Sequence, residues 1–162
     1  MKKAVLVASV AAAVVALDQA TKYYIRNTVA LYDSFPVVDS FFHITHVANP
    51  GGAFNFLSRT HESVRMPFFY LATALALGAL VYFVRQIPAR QTGLLVALAG
   101  ILGGAVGNLI DRIRFGAVTD FLDVFWGNYH WPAFNVADSF ISVGVIVLLI
   151  HSLRSPHDTA AP

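Results

Sequence analysis

The chain has 162 residues, of which 57% are hydrophobic and only 12% charged, roughly half the charged share of an average soluble domain. Most of it cannot face water, so a single-domain integral membrane protein is expected, its spanning helices using up nearly all of residues 1–162. The net charge of +2 comes from scattered Lys and Arg with no run able to track nucleic acid, and the lack of cysteine excludes disulfides, thiolate metal sites and a cysteine nucleophile.

Four apolar segments approach the ~20 residues that cross a hydrocarbon core. They are Ala4 to Ile25, Pro67 to Val84, Thr92 to Ile110 and Ala133 to Ile150. The first follows Lys2 and Lys3 and so also fits a cleaved signal peptide. Its helical pattern runs on through Asp18, Lys22, Tyr23 and Tyr24, which favours a retained span. Asp18 and Lys22 stand one turn apart, placed to satisfy each other or to serve a site.

The connection from Arg26 to Met66 contains a strand-like stretch, Val37 to Val47, and then a turn at Asn49-Pro50-Gly51-Gly52. Ser58 to Arg65 has the pattern of a short surface helix. Asn49 serves the turn or offers its amide to a substrate backbone. His43 and His46 fall on opposite faces of a strand and complete no metal cluster. Arg85 to Gln91 is a short Pro-containing turn into the third span.

In that span Gly100 pairs with Gly104 and Gly103 with Gly107 at four-residue spacing, which lets a neighbouring helix approach closely. Gly104, Asn108, Asp111 and Arg112 lie at i, i+4, i+7 and i+8, so a polar stripe continues the glycine face. Asn108 can orient a carboxylate or a substrate carbonyl, and Arg112 can hold a carboxylate or a lipid phosphate; an internal Asp111 to Arg112 network is the alternative. The second long connection, Asp111 to Pro132, carries the strand-like Val118 to Trp126 with Asp120. Asn135 stands one turn before Asp138 in the fourth span, and Ser155 to Pro162 reads as a frayed tail.

Basic residues do not divide cleanly between the two sides. Lys2, Lys3, Arg85, Arg90 and Arg154 fall on the side of the termini; Lys22, Arg26, Arg59, Arg65, Arg112 and Arg114 fall on the other. Giving most weight to the N-terminus and the 85–91 turn, and discounting Lys22 and Arg112 for their acidic neighbours, puts both termini in the cytoplasm. The two long connections, and the function with them, are then expected outside.

Charge within a bilayer is costly, and is paired or functional. Asp138 is expected about 8 Å below the outer end of the fourth span, at ~1.5 Å per residue, and Asp120 arrives from the preceding connection. Two carboxylates meeting in a partly dry site share a proton: one accepts a proton from water while the other donates to a carbonyl oxygen. Alternatively, Asp138 is a helix-start residue favoured by the dipole and Asp120 a solvated strand-edge charge; spacing alone leaves both open. No nucleophile-elbow pattern supports a serine mechanism.

These residues together resemble the lipoprotein signal peptidase family, signal peptidase II, over almost the whole chain. Asp18-Gln19-Ala20-Thr21-Lys22 is similar to the family's first-helix motif, and Asn49-Pro50-Gly51-Gly52-Ala53-Phe54 to its N-x-G-x-A-F loop. Gly107-Asn108-Leu109-Ile110-Asp111-Arg112 is similar to G-N-x-x-D-R. Val118-Thr119-Asp120-Phe121 and Phe134-Asn135-Val136-Ala137-Asp138 resemble the two blocks that supply the catalytic aspartates. No motif departs from the family pattern.

The resemblance implies a multi-pass aspartic endopeptidase of the bacterial inner membrane that cuts the signal peptide from diacylglyceryl-modified prolipoproteins just before the lipidated cysteine. The fold it implies, in agreement with hydropathy, is an all-α integral membrane protein: four transmembrane helices with a small periplasmic β-sheet and a short surface helix. Asp120 and Asp138 are the implied catalytic pair, near the periplasmic face. Asp18, Asn49, Gly104, Asn108, Arg112 and Asn135 are implied to bind substrate or shape the site, with Lys22 beside Asp18; Asp123 is the rival carboxylate. No metal or cofactor is expected, because a carboxylate pair supplies both acid and base. Membrane lipids are expected partners, nucleic acid is not, and a monomer is expected. A small ion translocator would need polar groups along the full depth of the spans, whose inner halves carry almost none. A non-catalytic lipoprotein-binding factor would leave its substrate unchanged.

Overall fold

Long apolar runs with polar residues gathered at one end form four helices: α1 (Lys2–Thr28), α2 (Glu62–Gln86), α3 (Thr92–Phe115) and α4 (Val136–Arg154), each long and apolar enough to cross a membrane. The computed structural model describes residues 2–51, 57 and 59–154. α3 is the central helix, flanked by α1 and α4 and more lightly by α2. Leu71, Leu75, Ile146 and Leu153 point outward from α2 and α4, as lipid-facing side chains do. Lipid tails give such helices no hydrophobic reason to associate, so close packing of small residues must hold them.

The two glycine pairs of α3 serve different neighbours. A Cβ on Gly103 would lie 2.7 Å from the Ala11 carbonyl oxygen of α1, and one on Gly107 2.5 Å from Asp18 Oδ2. A Cβ on Gly104 would lie 2.5 Å from the Ala137 carbonyl oxygen of α4, while Gly100 faces Phe140. The expected single stripe is therefore two seams, one for each flanking helix. Gly144 of α4 returns the contact, its position leaving only 2.9 Å to the Ala97 carbonyl oxygen.

Helix ends follow local chemistry more than hydropathy. α1 runs to Thr28 and α3 to Phe115, where Gly116 takes a left-handed φ of 71° and returns its N–H to the Arg112 carbonyl at 3.1 Å. α4 begins at Val136, later than the expected Ala133, because Asn135 caps it. Ser58 lies outside the described residues, and Glu62 to Arg65 is the first turn of α2, capped by His61, so among the described residues no separate surface helix stands there. At the opposite end of the bundle Lys3 Nζ donates to the Arg85 and Ile87 carbonyls, tying α1 to the end of α2.

The chain is not all-α. Strands β1 (Ser34–Val38), β2 (Phe42–Asn49), β3 (Val118–Trp126) and β4 (Tyr129–His130) form an antiparallel sheet in the order β1-β2-β3-β4. The expected strand from Val37 to Val47 is a hairpin instead, turned at Asp39–Phe41 with Ser40 at φ 61°. The sheet sits where α1 and α3 end and α4 begins. Ile25 of α1 and Val29 just beyond its end are buried against Phe121 of β3, and this apolar contact fixes β3 over the bundle.

Candidate active site

The first turn of α4 organises the site. Asn135 Oδ1 accepts the Asp138 N–H at 3.0 Å, and Asp138 Oδ2 accepts the Asn135 N–H at 3.2 Å, a reciprocal capping box that points the Asp138 carboxylate back over the helix start. The Asn135 side-chain amide then donates to Asp120 Oδ1 at 2.7 Å, so one residue holds both carboxylates. Asp120 reaches this point because β3 pairs with β2, Asp120 opposite Val47. Asn49, at the end of β2, donates to Asp120 Oδ2 at 2.9 Å while its own Oδ1 accepts the Gly51 N–H at 3.0 Å. The turn at Asn49 thus aims its amide at a carboxylate; Gly52, Ala53 and Phe54 of that motif lie outside the described residues.

Behind the two aspartates lies a buried polar layer. Asn108 of α3 donates to Asp138 Oδ1 at 2.8 Å and accepts from Lys22 Nζ at 2.9 Å. Lys22, wholly buried, also meets Asp18 Oδ2 at 2.9 Å and Asp111 Oδ2 at 3.3 Å. Both acids also hold backbone: Asp18 Oδ1 accepts the Ala137 N–H of α4 at 2.9 Å, and Asp111 Oδ2 accepts the Thr119 N–H of β3 at 3.0 Å, while Asp111 Oδ1 faces the Arg26 guanidinium at 3.5 Å. The Lys22 ammonium, together with the Arg26 guanidinium beside Asp111, balances the two acids that anchor the residues immediately before Asp138 and Asp120. Having no exposed surface, Asp18 and Lys22 reach the cleft through Ala137 and Asn108.

The aspartates line an open cleft of about 1140 Å³ between the sheet and α4. Arg112 lines it too, with Nη2 donating to the Gly51 carbonyl at 3.4 Å and its guanidinium 4.4 Å from the centre of the Phe69 ring. Arg112 and Asp111 make no ion pair with each other: Arg112 turns to Gly51 and Phe69, Asp111 to Lys22 and Arg26. Asp120 is 2% exposed. Burial, then the neighbouring Asp138 charge, push its carboxyl up to about 7 against the pull of the Asn49 and Asn135 hydrogen bonds and of Lys22. Asp123 points to His130, whose Nδ1 stands 2.9 Å from Asp123 Oδ1.

Gly104 places no group in the cleft, but its missing side chain sets the distance between α3 and the first turn of α4. Gly104→Ala is expected to lower stability by about 1–3 kcal/mol, since Cβ would strike the backbone of Ala137 and Ile141 Cγ1. Displacing Ala137 also moves Asp138, so peptidase rate should fall with Tm; an unchanged Tm and rate would contradict the close approach.

The expected residues Asp18, Lys22, Asn49, Asn108, Asn135, Asp120 and Asp138 thus form one hydrogen-bonded cluster, with Gly104 and Arg112 at its edges. Sequence reading missed Gln19, whose Nε2 donates to the Gly107 carbonyl and Asp111 Oδ1, both at 3.1 Å. It also missed Arg26, which donates to Thr119 Oγ1 at 2.9 Å and lies 4.5 Å from the centre of the Phe115 ring. Their signal was available: Asp18, Lys22 and Arg26 recur at four-residue spacing on one face of α1.

Fold and site together define a multi-pass membrane protein whose carboxylate-bearing cleft opens at one end of a helix bundle. Residues 10–154 match the family model for signal peptidase (SPase) II. The chain is similar to the lipoprotein signal peptidases of Geobacter sulfurreducens, 52% identical over 85% of each chain, and of Syntrophus aciditrophicus, 44% identical over 95% of this chain and 96% of that one. A solved bacterial membrane enzyme superposes with a TM-score of 0.83 at 36% identity, covering 96% of this chain and 92% of the other. The chain belongs to the signal peptidase II family and is an aspartic peptidase.

Proposed function

We propose that this peptidase removes the signal peptide from diacylglyceryl-modified bacterial prolipoproteins, cutting just before the lipidated cysteine, with Asp120 and Asp138 as the pair that activates water. Family membership supports action on lipoprotein precursors. The observation that carries the mechanism is Asn135, which holds both carboxylates at one cleft through its side-chain amide and its backbone N–H. One carboxylate takes a proton from the attacking water; the other, protonated, donates to the scissile carbonyl oxygen. Asn49 and Asn108 fix the carboxylate planes, and Arg112 faces the substrate backbone from the Gly51 side.

The whole of 1–162 acts as one monomeric membrane domain in the inner membrane, with both termini cytoplasmic and residues about 26–66 and 111–132 periplasmic. Substrate arrives laterally, its acyl chains staying in lipid along Ile141 and Val143 of α4, while water enters from the sheet side. No metal takes part.

Purified protein in detergent is expected to cleave a diacylated lipobox peptide and to leave the same peptide with an unmodified cysteine largely intact. The pair works with one proton, and burial beside Asp138 pushes the Asp120 carboxyl up to about 7. Cleavage should therefore fall as pH rises through about 7, approaching tenfold per unit beyond it. A rate that stays flat or climbs from pH 6 to 9 would contradict the shared proton.

A further inference from the structure

Beyond the aspartates, the cleft continues along β3 to a group that the chemistry above leaves unused. Asp123 lies on its wall, both carboxylate oxygens within 3.0 Å of His130 Nδ1. The His130 ring stacks on Phe125 with centroids 4.6 Å apart and planes 14° from parallel, and His43 meets Phe125 in a T-shaped contact at 4.7 Å. Asp123 sits opposite His43 in the β2–β3 ladder. A carboxylate is thus held in fixed orientation by an aromatic ledge that crosses three strands, yet it remains partly open to the cleft, its side chain 15% exposed.

We infer that Asp123, fixed by His130, is a subsite for the mature polypeptide of the substrate and favours a cationic side chain there. The inference rests on the lipoprotein-precursor reading above. The cleft lining carries two chemistries: Ile141 and Val143 of α4 give it apolar surface, and Asp123 and His130 of the sheet give it polar groups. A signal peptide and acyl chains are apolar and take the first. What remains of the substrate is the chain that follows the modified cysteine, and it takes the second.

Spacing sets the position. Asp123 lies three residues beyond Asp120 on an extended strand, roughly 10 Å at ~3.4 Å per residue. An extended substrate covers that distance in about three residues, so the residue read is near the third counted from the cysteine. Arg112, among the described residues the cation of fixed charge on this cleft, is turned to Gly51 and Phe69 on the Asn49 side.

The test uses diacylated peptides identical except for lysine, alanine or glutamate at the second, third or fourth position from the cysteine. Wild-type kcat/KM should favour lysine over glutamate about threefold to fivefold at one of these positions, as befits an ion pair still open to water. The ratio should shrink when salt is raised from about 0.05 M to about 0.5 M, where screening shortens to a few Å. Asp123→Asn should bring the ratio to one, and Asp123→Lys should invert it, which a merely structural role would not do. Equal cleavage of the whole series by the wild type, or an unaltered ratio in a folded Asp123→Lys protein, overturns the subsite alone. Cleavage of none of the peptides overturns the substrate reading as well. The wild-type ratio and its salt dependence decide the matter even where the variants fail to fold.

Discussion

Asp120→Asn is expected to lower cleavage of a diacylated peptide by about 10³-fold, and Asp138→Asn by a similar factor, since each removes one half of an acid and base pair worth about 10²–10⁴ per group. Folding should survive in both. Each asparagine keeps one carboxamide oxygen for the hydrogen bonds now made by Asn49, Asn108 or Asn135, at a cost of about 1–3 kcal/mol for the mismatched second contact. For Asp120 a gain offsets that cost. Its folded pKa of about 7 lies above the ~3.9 of an unfolded aspartate, so between these values the folded state holds more protons than the unfolded state. Stability from this group is full below about pH 4 and is lost as pH rises through 7. Asp120→Asn removes that slope, and its Tm should drop less than that of the wild type between pH 5 and pH 8. Thermal unfolding in detergent beside peptide cleavage separates the two effects. Full activity in either variant would sink the catalytic assignment.

Lys22→Met should show the opposite balance, with a loss of stability of about 3–5 kcal/mol and a loss of activity that follows from it. Methionine fills the space but leaves Asp18 as a buried carboxylate without a countercharge and Asp111 with only the Arg26 guanidinium, 3.5 Å away. Those acids hold the Ala137 and Thr119 N–H groups, so the damage reaches the residues just before Asp138 and Asp120, the two aspartates that line the cleft. Adding Asp18→Asn and Asp111→Asn to Lys22→Met should restore much of the Tm, because amides can still accept from the backbone without carrying charge. A triple variant no more stable than Lys22→Met would show that shape, not charge balance, dominates this layer.

Hydropathy read the four spans well because lipid demands unbroken apolar surface, and that demand is written residue by residue. It read helix ends poorly: Asn135 and Gly116 set them by hydrogen bonds, and a proline at 67 hid the start of α2 at Glu62. The glycine spacing in α3 announced close contact, but periodicity carries no partner's name, so the division between α1 and α4 was invisible. In the same way, Asp120 and Asp138 stood out as costly charges, while their meeting depends on the β2–β3 register and on one Asn135 amide, both non-local. The strand from Val37 to Val47 was misread because β-rich composition outweighed the turn at Asp39 and Ser40.

The contact between Asp18 and the Ala137 N–H joins the first span to the last. During biosynthesis α1, α3 and β3 emerge while Asn108 and Asp120 still lack their partners from Asn135 and Asp138. A ribosome must finish nearly the whole chain before α4 can slot against α3 and deliver both. On the two-aspartate reading proposed above, the nascent protein stays inactive until α4 docks, and that docking is the event that switches it on.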